Sequence, residues 1–168
     1  MHRFLILAFI CLSFKAYSQK QYVYDLGITT GINRMDFFTG LQGTWTKQRW
    51  QYNVQLEIGM NRTFFQQRIF PRISGGIGFS FIQRDWFQMV AQLNYAYSFL
   101  KIYALSKHYN HWNELYGGIK FVLGKKIKFF ALVSSGWMNE LYYNDLKNKY
   151  TGLHSLGYYG QIGLSYAW

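Results

Sequence analysis

The chain has 168 residues, a formal net charge of +11, 50 % hydrophobic and 21 % aromatic residues, and a mean hydropathy of only -0.12. That length suits one domain, and the low mean hydropathy means the apolar residues are interleaved with polar ones, which excludes a bundle of membrane helices. The single cysteine, Cys11, excludes a disulfide framework and a thiolate metal site, and the single proline suits uninterrupted strands.

Residues 1–18 read as a secretory signal peptide. Arg3 supplies a charged start, Phe4 to Phe14 an apolar stretch too short to span a bilayer, and Ala16-Tyr17-Ser18 a small-x-small cleavage site before Gln19. Bulky Phe9 and Ile10 ahead of Cys11 argue against a lipoprotein signal. Residues 19–168 are then the mature domain. Cleavage removes Arg3 and Lys15 and no acid, so the exported chain stays basic and suits anionic lipid headgroups better than nucleic acid.

Alternation follows. Tyr22, Tyr24, Leu26, Ile28 and Ile32 share one face, with Asp25, Gly27, Thr29 and Gly31 opposite. Phe37, Leu41 and Trp45 oppose Gln42, Thr44 and Thr46. Trp50, Tyr52, Val54, Leu56, Ile58 and Met60 alternate strictly with Gln51, Asn53, Gln55, Glu57 and Gly59. A strand puts such a set on one side, whereas a helix would scatter it. The pattern returns at Ile73 to Phe81, Phe87 to Phe99, Leu115 to Leu123 and Tyr158 to Trp168, and less cleanly at Ile127 to Met138, where Phe129 and Phe130 are adjacent. That makes about eight strands. Short turns are expected at Lys47-Gln48-Arg49, Gln83-Arg84-Asp85 and Gly124-Lys125-Lys126. Longer loops are expected at Asn61 to Arg72, Leu100 to Asn113 and Asn139 to Ser155, with a short connection at Asn33 to Asp36 in the same phase. The expected fold is an all-β, eight-stranded antiparallel up-and-down barrel.

Volume decides which face is inside. Eight strands enclose a lumen that side chains just fill. The Gly, Ser, Thr, Asn and Gln face fits that space; the Trp, Tyr, Phe, Leu and Ile face does not. The large residues therefore point outward to lipid, with Trp45, Trp50 and Trp86 as an aromatic girdle near the short turns. Leu164, Tyr166 and Trp168 resemble the C-terminal signal of bacterial outer-membrane barrels, which implies insertion by the barrel assembly machinery. With the signal peptide and eight strands, the chain resembles small outer-membrane barrels of the OmpA/OmpX type. The match is architectural and implies short periplasmic turns and longer extracellular loops.

Asp25, Glu57, Lys120 and Lys128 fall on the inward face, where an ion-pair network that packs the lumen is expected rather than an open pore. Arg62, Arg68, Arg72, Lys101, Lys107, Lys147 and Lys149 lie on the long-loop side, where they could contact lipopolysaccharide phosphates or an extracellular partner. Tyr103, Tyr109, Trp112, Tyr142, Tyr143 and Tyr150 add aromatic surface there. Outer-membrane lipid A deacylases use a His and a Ser two residues apart, but His154 and Ser155 are adjacent and would face opposite ways, so no catalytic residue is assigned. His108, His111 and Glu114 have spacing that a turn could bring to one metal, but no second cluster supports it. The expectation is a non-enzymatic outer-membrane barrel without cofactor. A lipid-modifying enzyme and a narrow pore are the alternatives.

Overall fold

The computed structural model describes residues 22–34, 36–59, 70–100, 108–144 and 147–168. Eight strands run in chain order: β1 Tyr22–Asn33, β2 Phe37–Lys47, β3 Trp50–Gly59, β4 Phe70–Arg84, β5 Phe87–Leu100, β6 Asn110–Leu123, β7 Ile127–Asn144 and β8 Lys149–Ala167. Each pairs antiparallel with the next, and β8 pairs with β1, so the sheet closes into an up-and-down barrel. Residues 1–18, read as a signal peptide, lie outside the described residues.

Strand tilt follows from the register. A walk along paired residues from Thr29 passes Gly40, Glu57, Arg72, Ser98, Trp112 and Glu140 to Leu153 on β8. The direct β8 partner of Thr29 is Gly163, an offset of ten residues from 153 to 163. Such a stagger in eight strands tilts them by roughly 35–45° to the barrel axis.

The two faces are chemically inverted relative to a soluble barrel. Leu26, Ile28, Leu41, Leu56, Ile162 and Leu164 point outward and are exposed, whereas Gln42, Asn53, Gln55, Ser74, Gln92 and Gln161 are buried inside. The break in alternation at Phe129-Phe130 is resolved by the pleat. Phe129 faces out, and Phe130 fills the lumen beside Gly163, where a Cβ would collide with its ring.

The turns differ slightly from expectation. β4 continues through Arg84, so the turn after it is Asp85-Trp86 rather than Gln83 to Asp85. A register shift between Ser80 and Ile82 accommodates the extra residue. The turn between β2 and β3 is Gln48-Arg49, with Gln48 at φ 57°, and Gly124 takes φ 108° at the turn into β7. The long connections are shorter than expected because strands invade them. β4 starts at Phe70 and β6 at Asn110, and most of Asn139 to Ser155 is not a loop but the paired continuation of β7 and β8 up to Asn144↔Lys149.

Candidate functional site

The lumen is packed in tiers. Toward the long-connection end, Phe38, Phe70, Leu100, Trp112, Tyr116, Leu132 and Tyr159 form a buried apolar cluster. Embedded in it, Arg72 of β4 lies between two carboxylates. Its guanidinium donates to Glu57 of β3 and, at 2.8 Å, to Glu114 of β6. The Tyr159 hydroxyl donates to Glu57 Oε1 at 2.7 Å, and Asn33 Nδ2 donates to Glu114 Oε1 at 3.0 Å. The rings of Phe38 and Tyr159 lie 4.8 and 4.5 Å from the guanidinium carbon. One cation thus serves two carboxylates, and its flat faces are covered by aromatic rings, an arrangement guanidinium suits better than ammonium.

The middle tier is uncharged. Gln55 and Gln161 bond across the lumen, Gln42 bonds to Thr44, and Gln92 bonds to Asn94. Toward the short-turn end, Lys128 Nζ reaches both Asp25 carboxylate oxygens at 2.9 Å. Lys120 is buried nearby with its Nζ 4.4 Å from the Phe130 ring centroid, above the small cluster of Val90, Val122 and Phe130.

Asp25, Glu57, Lys120 and Lys128 therefore all face inward, but they do not form one network. They divide between two clusters separated by the amide tier. Arg72 corrects the sequence reading. It is not a loop cation available to lipopolysaccharide but is 2 % exposed and belongs to the lumen. The signal was the phase of its strand: Ile73 and Ile77 point out, so Arg72, Ser74 and Gly76 point in. Trp112 is likewise in the lumen rather than on an aromatic loop surface. Glu114 leaves the supposed histidine turn by the same rule, since Leu115 points out. His111 instead hydrogen-bonds the Tyr97 hydroxyl at 2.7 Å, and His108 stacks on Tyr143. Among the described residues no group of three His, Cys, Asp or Glu side chains could hold a metal.

Lys147 lies in the β7–β8 turn and Lys149 opens β8, both exposed. Arg62, Arg68, Lys101, Lys107 and Tyr103 lie outside the described residues. His154 points outward and stacks on Trp137 at 5.5 Å, while Ser155 points the other way, opposite Met138. These two do not form a nucleophile–base pair.

At the short-turn end, aromatic residues collect on the outside. Trp45 stacks on Tyr52 at 5.8 Å and Trp50 meets Phe79 edge-on at 5.1 Å. Leu164, Tyr166 and Trp168 form one exposed outward row, with the Tyr166 and Trp168 rings stacked. The Trp168 amide donates to the Tyr24 carbonyl at 3.1 Å, so the last residue is bonded into the seam between β8 and β1.

The sequence matches no family model and no curated protein. Among solved structures, the fold is similar to the N-terminal β-barrel domain of Pseudomonas aeruginosa OprF. The TM-score is 0.65 at 8 % identity, covering 89 % of this chain and 100 % of that one. At that identity the likeness concerns the fold, an eight-stranded closed barrel.

Proposed function

We propose that the protein is an integral outer-membrane barrel of the OmpA/OmpX-like type, exported through a cleaved signal peptide over residues 1–18. The observation that carries this is the inverted polarity: a closed barrel with amides and ion pairs inside and large apolar side chains outside. Only a closed sheet leaves no unpaired backbone in lipid, and only lipid makes that outer face stable. The short turns face the periplasm, and the β7–β8 hairpin faces outward. The role is non-enzymatic: the packed lumen holds the barrel rigid, and the long-connection end presents basic and aromatic groups to lipopolysaccharide or an extracellular partner. Lys147, Lys149, Tyr109, half-buried Tyr142, Tyr143 and Tyr150 are its described members.

An epitope tag in the 144–149 turn should be reachable on intact cells, and one at Asp85-Trp86 only after permeabilisation. The reverse pattern rejects the orientation, and a soluble periplasmic protein rejects the reading. Reconstituted protein should show no large steady conductance in planar bilayers, because side chains fill the lumen. Leu164, Tyr166 and Trp168 act as the assembly signal. Trp168→Asp should deplete the outer membrane of the protein while the purified variant still refolds in detergent; equal membrane levels remove that role.

A further inference from the structure

The short-turn half of the lumen holds one positive charge more than negative. Its buried charged residues are Lys120, Lys128 and Asp25, two cations against one carboxylate. Lys128 takes both oxygens of that carboxylate at 2.9 Å. Among the described residues Lys120 is in ion-pair contact with no acid and donates no hydrogen bond. Its ammonium rests instead over the ring of Phe130, at 4.4 Å from the centroid.

The register shows which way that side chain leans. Lys120 pairs with Leu132, whereas Phe130 pairs with Val122, two residues nearer the short turn. An ammonium over the Phe130 ring therefore points down the lumen, toward Lys128, the next inward residue on β7. Val90, Val122 and Phe130 make an apolar wall at this level. The space is not sealed from solvent. Lys120, Lys128 and Asp25 keep 4, 8 and 9 % exposure, and Ser165, opposite Lys128, is half-buried. Thr29 stands in one row of paired residues with Gly163 and Phe130, and its buried hydroxyl has no hydrogen-bond partner among the described residues.

A buried cation without a counter-charge is strongly unfavourable, and contact with one ring offsets only part of that. The one acid at this end is already engaged on both oxygens by Lys128. The missing negative charge must then come from solution.

We propose that Lys120, with Lys128 beside it and the Thr29 hydroxyl as a neutral donor, binds one small monovalent anion of the halide class, admitted from the short-turn end. The charge count sets the valence. One such anion cancels the excess, whereas sulfate or a phosphate dianion would reverse it, and a larger organic acid does not fit a lumen that side chains fill. The apolar wall favours an ion that loses little hydration on entry, so bromide should bind more tightly than fluoride. The site goes beyond the outer-membrane reading and needs only the closed barrel. An uncharged Lys120 amine is the rival that would also remove the excess, and it binds no anion.

The test uses the full chain folded in zwitterionic detergent micelles, with bromide as the probe and gluconate holding the ionic strength constant. Bound bromide broadens the bromide NMR line, and wild type should show saturable broadening. The urea midpoint should rise with bromide in parallel, because the anion binds the folded barrel alone. Lys120→Met should lose affinity about tenfold or more. Lys128→Met should lose as much, because Asp25 then takes Lys120. Asp25→Asn should bind about tenfold more tightly, since it leaves two cations unopposed. A double variant of exposed Lys125→Gln and Lys126→Gln at the same end should stay within about twofold of wild type, since solvated surface charges hold ions weakly. Heat-modifiable gel mobility checks that each variant is folded, and if Asp25→Asn is not, Lys120→Met decides. Absent saturable broadening, or equal binding by wild type and Lys120→Met, overturns the proposal. So does loss of binding in the Lys125→Gln, Lys126→Gln variant, because the anion is then held by the surface.

Discussion

The two charged clusters of the lumen solve the same problem with opposite bookkeeping. At the long-connection end, Glu57 and Glu114 share Arg72, so carboxylates outnumber cations. At the short-turn end, Lys128 and Lys120 lie near one carboxylate, Asp25, so cations outnumber it. The first cluster also draws on neutral donors, Tyr159 and Asn33, and is enclosed by aromatic rings; the second is smaller and has a cation in reserve. The lesson is that a buried charge is vulnerable according to whether a substitute counter-charge is within reach, more than according to its depth.

The largest effect should come from Arg72→Leu, which leaves two buried carboxylates with no cation. It should cost about 3–5 kcal/mol by urea unfolding in vesicles, and adding Glu57→Gln and Glu114→Gln should recover most of that loss. If the triple variant is no better than the single, the carboxylates are not the source of the cost. Lys128→Met should cost less, about 1–3 kcal/mol, because Lys120 can turn toward Asp25. A loss equal to that of Arg72→Leu would end the distinction between the clusters. Lys120→Met should fall within about 1 kcal/mol of wild type, since the lost contact with Phe130 is offset by burying no surplus charge. Asp85→Asn, which breaks the exposed 3.4 Å pair with Lys125, should change stability by less than about 0.5 kcal/mol and serves as the lower bound of the series.

Much of the fold was legible because its code is short-range. The period of two named the strands and the volume argument named the inside, so Asp25, Glu57, Lys120 and Lys128 could be placed on the inner face before any contact was known. Strand ends were harder. Clean alternation begins only at Ile73, so Arg72 reads as the end of a loop although it is already in phase with Ser74. Asn139 to Ser155 reads as a loop because Tyr142-Tyr143 and Lys147-Asn148-Lys149 lack clean alternation, and above the barrel both faces of a hairpin meet solvent, so no pattern is required there. The pairing of Arg72 with both Glu57 and Glu114 depends on register and stagger, which are not written in any single strand.

The central claim is that the apolar face is the outer, lipid-facing one. Nitroxide labels at alternating β3 positions, read by power-saturation EPR in vesicles, test it directly. Labels at Val54, Leu56 and Ile58 should show high collision rates with oxygen and low rates with a water-soluble nickel complex, whereas labels at Gln55 and Glu57 should be shielded from both. High oxygen accessibility at Gln55 and Glu57, with the apolar positions shielded, would contradict the account.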